Sequence, residues 1–221
     1  MPTPQAKPSV PAYLVPYCDA LACHGPTFGA TLWKSRRSQR ARFKVLTRMI
    51  DLRDRVVLDA GCGLGDLAAY LDERRITVRR YIGVDALPGL ICQAGKSPRP
   101  NAEFLQADFA GDPVAFQSLA RAHNADVIVF SGSLNTFDQP FALRALDHAF
   151  AAARIGIVFN FLSASSPKPR KNPGDPARRF DPAAVLAWAL ARTPHVRVRT
   201  DYLRGQDATV SMLKSPPFPT R

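Results

Sequence analysis

What the chain has little of narrows its class first. No apolar run approaches the roughly 18 residues that a membrane-spanning helix needs. The opening Met1-Pro2-Thr3-Pro4-Gln5-Ala6-Lys7-Pro8 lacks a basic stretch followed by an apolar one, so no secretory signal is expected and the expected compartment is the cytoplasm. Four cysteines, Cys18, Cys23, Cys62 and Cys92, form no CxxC pair and meet no matching His cluster. Neither a zinc site nor a disulfide framework is expected, and the thiols read as reduced and mostly buried. Acidic residues are scarce only in places. Residues 1–50 carry 8 basic and 1 acidic side chains, residues 51–150 carry 10 and 13, and residues 151–221 carry 12 and 4. The total of +12 is therefore a property of two basic flanks around a mildly acidic middle, and by sign alone it suggests a polyanionic partner.

With 221 residues, 46% hydrophobic and 22% charged, the chain has the composition of one folded domain. Six of its twenty prolines fall before residue 27, so residues 1–29 read as an extended arm with short turns. The domain is expected over residues 30–215, with a frayed tail at 216–221. Its first element, over residues 30–50, is an amphipathic cap helix: Trp33, Phe43, Leu46, Met49 and Ile50 recur on one face and Arg37, Arg40, Lys44 and Arg48 on another.

Short apolar runs then alternate with helical stretches. Val56-Val57-Leu58, Tyr81-Ile82-Gly83-Val84, Glu103-Phe104-Leu105-Gln106-Ala107, Asp126-Val127-Ile128-Val129-Phe130 and Ile155-Gly156-Ile157-Val158-Phe159-Asn160-Phe161 read as strands, the last fully buried. Val196-Arg197-Val198-Arg199 and Thr209-Val210-Ser211-Met212-Leu213 flank a turn and read as a hairpin. The expected fold is α/β: a doubly wound, mostly parallel seven-stranded sheet with a C-terminal antiparallel hairpin and helices on both faces. Residues 163–182 form a basic, proline-rich loop too long for a simple connection, and so are expected to be functional or mobile.

Between the first strand and its helix lies Asp59-Ala60-Gly61-Cys62-Gly63-Leu64-Gly65. Glycines in such a turn let backbone approach a ligand, because they lack Cβ and tolerate positive φ. A dinucleotide fingerprint would carry its third glycine at position 66, where this chain has Asp66, whose charge would also repel a pyrophosphate. The glycine turn, with acids at the ends of the second and third strands, suits a ligand that has an amino group, a ribose and an adenine but no phosphate. A carboxylate accepts two hydrogen bonds from a vicinal diol, and at a strand's carboxyl end it lies in the crevice where open α/β sheets bind ligands.

In these residues the chain resembles the class I, Rossmann-like S-adenosylmethionine-dependent methyltransferases, of small bacterial type. Val57-Leu58-Asp59-Ala60-Gly61-Cys62-Gly63-Leu64-Gly65 matches their first motif, and Tyr81-Ile82-Gly83-Val84-Asp85 the motif of the second strand. The resemblance covers residues 50–161, and it implies S-adenosyl-L-methionine as cofactor. It implies that Asp59, Gly61, Cys62, Gly63 and Gly65 sit at the methionine moiety, and that Asp85, followed by Ala86, holds the ribose hydroxyls. Asp108 and the Phe109 backbone would face the adenine, and further contacts would come from Ser131 to Asn135. Each acid also has a structural reading: Asp59 and Asp108 as turn or cap residues.

Tyr17, His24-Gly25, Trp33, Gln39 and Arg42-Phe43 are similar to an N-terminal segment that, in some small members, covers the cofactor and shapes the acceptor pocket. Two catalytic candidates follow. His24 is either a general base or the hydrogen-bonding residue of a turn, and Asn160 either faces the transferred methyl or terminates its strand. The expected activity is methyl transfer to a small-molecule acceptor, an acidic one given the basic flanks, with residues 30–50 and 163–182 as its lid. The alternatives are an RNA methyltransferase that tracks phosphates with its basic flanks, and a non-catalytic cofactor-binding protein of the same fold. No membrane partner is expected. Ser131-Gly132-Ser133-Leu134-Asn135 lacks the Asn/Asp-Pro-Pro-aromatic tetrapeptide of exocyclic-amine methylases, which weighs against a nucleic-acid base as acceptor.

Overall fold

The computed structural model describes residues 10–166 and 175–216. Seven strands form one sheet: β1 (Val56–Ala60), β2 (Arg80–Asp85), β3 (Ala102–Gln106), β4 (Val127–Phe130), β5 (Gly156–Leu162), β6 (Val196–Arg199) and β7 (Asp207–Leu213). Their spatial order is β3-β2-β1-β4-β5-β7-β6. The first five pair in parallel, and β7 runs antiparallel to both β5 and β6. The expected doubly wound sheet with a closing hairpin is what the chain forms.

Strand β1 is buried along its whole length, and its side chains divide by the two-residue period of a strand. Val56, Leu58 and Ala60 join a core under α5 (Pro113–Ala122), α6 (Gln139–Ala152) and α7 (Pro182–Leu190). Val57 joins the opposite core, beneath α2 (Arg36–Met49) and α3 (Asp66–Glu73). A sheet buried on both faces needs strands that are apolar throughout, which is why these runs show no polar alternation. The strand order reverses between β1 and β4, so the crevice for a ligand opens at their carboxyl ends.

The N-terminal segment differs from the expectation. Where an extended arm was expected, residues Val15–His24 form helix α1, which packs with Tyr17, Cys18 and Leu21 on Leu87 and Leu90 of α4 (Pro88–Gly95) and its approach. Pro16 occupies the first turn of α1, where a missing N–H is tolerated, so these prolines frame a helix. The cap helix is shorter than residues 30–50: α2 starts after Ser35, whose hydroxyl accepts from the Ser38 N–H at 3.2 Å.

Both ends of the 163–182 loop are tied to the sheet. The Ala164 N–H donates to the Phe180 carbonyl at 2.8 Å, and the Phe180 N–H to that of Leu162 at 2.9 Å. Lys168, Arg170 and Lys171, residues 1–9 and tail residues 217–221 lie outside the described residues. Among the described residues no helix is long and apolar enough to cross a membrane.

Candidate active site

The turn after β1 is shaped by its glycines, which take positive φ at Gly61 (79°), Gly63 (55°) and Gly65 (74°). At Gly61 the requirement is also steric: a Cβ there would sit 2.3 Å from the Ser133 side chain. The Gly61 and Cys62 N–H groups both donate to the Val84 carbonyl, folding the turn onto the end of β2. Asp85, the last residue of β2, completes the join. One carboxylate oxygen accepts from the Gly63 N–H at 2.9 Å and the other from the Leu87 N–H at 3.0 Å. Each oxygen keeps a lone pair for a ligand. Burial raises the Asp85 carboxyl, against the lowering effect of those two bonds.

Asp59 is 3% exposed and accepts a hydrogen bond from the Tyr81 hydroxyl. Burial pushes its carboxyl up to about 7, the Tyr81 bond works against that rise, and the charges of Asp85 and Asp66 add to it. Asp66, at the start of α3, is held by Gln39 at 2.8 Å and by Arg36 at 3.5 Å, both from α2. Burial and the neighbouring Asp59 and Asp85 push the Cys62 thiol up, which leaves it inert as a nucleophile.

Across the crevice, Asp108 accepts from the Ala110 and Gly111 N–H groups at 3.0 and 2.9 Å, and from the Tyr13 hydroxyl at 2.6 Å. It is a turn residue, as its structural reading expected, and it also lines the cavity. The Phe109 ring packs on Phe116, Phe130 and Phe137, and among the described residues its N–H has no protein acceptor. Ser131 and Ser133 follow β4. The Ser133 hydroxyl donates to the Ala60 carbonyl at 2.7 Å, tying the two strand ends together.

These groups line one crevice. Among the described residues four carboxylates line it, Asp59, Asp66, Asp85 and Asp108, and no Lys or Arg does. Beside it lies a second cavity, of about 260 Å³. Tyr17, Thr31, Trp33, Gly132 and Thr136 line both and form the partition between them.

Four expected site residues stand elsewhere, among them Gly65, which shapes the turn but lines neither cavity. His24 ends α1 exposed to solvent and lines neither cavity, so it has no position from which to take a proton there. Asn160 is 1% exposed, and both ends of its amide are used: it accepts from the Gly132 N–H and donates to the Ser131 hydroxyl, each at 3.0 Å. It braces the loop after β4 and does not line either cavity. Asn135 lines only the second cavity. Conversely, Tyr13, Thr31, Leu87 and Thr136 line the first cavity without having been expected, and nothing in their local sequence marks them.

Residues 57–156 match the family model of a methyltransferase domain. No curated protein matches the chain. Among solved structures it is similar to DhpI in complex with SAH, S-adenosylhomocysteine, with 17% identity over 93% of this chain and 96% of that one and a TM-score of 0.63. It is also similar to magnesium protoporphyrin IX methyltransferase from Synechocystis PCC 6803 with bound SAH, at 15% identity over 81% and 83% of the two chains and a TM-score of 0.59. The small RNA methyltransferase HEN1 shares the fold at 14% identity and a TM-score of 0.59, over 81% of this chain but 25% of that one. Over residues 57–156 the chain thus matches the model of a methyltransferase domain, and over most of its length it shares the fold of these structures.

Proposed function

We propose that the acidic cavity holds S-adenosylmethionine and that the chain transfers its methyl group to a small molecule seated in the second cavity. The observation that carries the reading is the lining of four carboxylates without a cation, which suits a ligand bearing an ammonium and a sulfonium. When bound, the cofactor supplies a methyl group on a positively charged sulfur. The free lone pairs of Asp85 accept from the ribose hydroxyls, while Asp59 and the Gly61–Gly65 backbone meet the methionine end. Asp108 faces the adenine amino group and the open Phe109 N–H a ring nitrogen. With an activated leaving group, alignment and exclusion of water supply most of the acceleration, so the solvent position of His24 leaves no gap in the mechanism. The Tyr17, Trp33 and Gly132 partition aligns the acceptor with the methyl group and keeps bulk water from it.

The RNA reading loses part of its surface. On α2, Arg36 and Arg40 engage Asp66 and Glu73, and Arg42 is buried at 8% exposure. Titration calorimetry with S-adenosylhomocysteine tests the proposal. Wild type binds, and Asp85→Ala weakens binding by about a hundredfold, because two diol bonds are lost and two backbone N–H groups are left unpaired. Undiminished binding by the variant overturns the assignment. Binding to bulk tRNA that falls steeply with added salt would restore the RNA alternative.

A further inference from the structure

The second cavity is built differently from the first. Among the described residues Lys34, Arg42 and Arg179 line it, with one acid, the exposed Asp175. Arg42 is the informative residue. It lies on the buried face of α2 with Gln39, Phe43 and Leu46, and its Nε donates to Asp207 at the start of β7, 165 residues away in sequence. Asp207 is 1% exposed, and its carboxyl is raised by burial against the lowering charges of Arg42 and Arg179. The guanidinium carbon lies 4.9 Å from the centre of the Trp33 ring. Trp33 in turn covers Gly132, where a Cβ would fall 2.5 Å from the indole.

This arrangement leaves a buried guanidinium half used. Among the described residues no protein group accepts from Arg42 Nη1 or Nη2, while Nε and the cation–π face are taken. Arg42 lines the cavity, and the planar fork of its guanidinium matches a carboxylate. Arg179 stands near the same pair, with Nη1 on the Ser163 carbonyl at 2.8 Å. Among the described residues the lining carries an excess of positive charge from Lys34, Arg42 and Arg179, which suits an anionic guest. Leu162 and Trp33 supply apolar wall beside it.

Resting on the proposed methyltransferase site, we propose that the acceptor is a small, partly apolar molecule carrying one carboxylate, which Arg42 and Arg179 hold in the second cavity while Trp33 packs on its apolar body.

The test is equilibrium binding to the full chain saturated with S-adenosylhomocysteine. Benzoate and hexanoate are each compared with their neutral amides, with phenyl phosphate as a further arm, using calorimetry and Trp33 fluorescence in a Trp188→Phe background. The carboxylates bind at least about tenfold tighter than the amides, and Arg179→Gln removes that preference while leaving S-adenosylhomocysteine binding unchanged. Arg42→Lys, which keeps the charge beside Asp207 but loses the fork, reduces the preference as well. Equal binding of acid and amide, no binding of either carboxylate, tighter binding of phenyl phosphate, or an unaltered preference in Arg179→Gln each overturns the proposal. If wild type fails to bind S-adenosylhomocysteine at the outset, it is the underlying cofactor reading that falls.

Discussion

Two adjoining cavities share five wall residues and carry opposite charge. The first collects Asp59, Asp66, Asp85 and Asp108 without a cation, whereas the second collects Lys34, Arg42 and Arg179 with Asp175 at its rim. The contrast shows how little a net charge of +12 says about a site. At a few ångströms of separation, in a partly desolvated crevice, the local arrangement outweighs the total, because Coulomb energies grow as distance and dielectric fall. On the proposed reading, this contrast would sort a cationic cofactor and an anionic acceptor to their own sides of Trp33 and Tyr17.

The comparison can be broken most forcefully on the basic side. Arg42→Met leaves Asp207 buried beside a thioether, and a stability loss of about 3–5 kcal/mol is expected in urea unfolding. Adding Asp207→Leu restores most of it, since the destabilisation comes from the orphaned partner; a single-variant loss under about 1 kcal/mol would remove the buried pair as the reason for Arg42's position. On the acidic side, Gly61→Ala places a side chain at φ 79° and into Ser133. It is expected to lose about 2–3 kcal/mol in the same measurement and to abolish S-adenosylhomocysteine binding, and a variant that binds normally would show that the turn does not need its close approach to β4.

A gentler lever is pH. Asp59 titrates at about 7 in the fold against 3.8 for an ordinary aspartate. Between those values the unfolded chain is ionised and the folded one is not, so this residue's contribution to stability is lost as pH rises from 3.8 to about 7. Cofactor binding follows the opposite sign, because the ionised carboxylate attracts the ligand's positive charge. Affinity should rise about tenfold between about pH 6 and about pH 8, with proton release on binding detectable in buffers of different ionisation enthalpy. Tyr81→Phe removes the bond that favours the ionised form and moves the rise to higher pH; an unshifted profile would mean another group controls it. The smallest effect is expected at the edge of the acidic cavity. Tyr13→Phe deletes the bond to Asp108 across a half-exposed surface, and about 1 kcal/mol, or fivefold, of S-adenosylhomocysteine affinity should go with it.

Legibility in the sequence followed how local the determining physics is. The strands and the glycine turn were readable, since apolar runs of strand length and glycines at positive φ leave their mark within a few residues. Asp85 and Asp108 were readable by place, each at the end of a parallel strand. The helix in the arm is hidden by its prolines, which break a helix interior but are tolerated in its first turn, where Pro16 of α1 falls. His24 and Asn160 were marked by residue type, which cannot tell an exposed helix end from a loop brace. Asn160 joins β5 to the loop after β4 through parallel neighbours 28 and 29 residues apart, and no local pattern encodes that distance.

The sequence alone determined the alternation of strand, turn and helix, the backbone geometry around Gly61, and the division of charge along the chain, since each depends on neighbouring side chains and intrinsic conformational preference. Only the tertiary structure decided how that charge is distributed in space. Arg42 meets Asp207 and Tyr13 meets Asp108 because the order of the strands brings β7 under α2 and the chain's first turn over β3's end. Pairings across 165 and 95 residues come from packing, and it is packing that turned a basic protein's sequence into one acidic cavity beside one basic one.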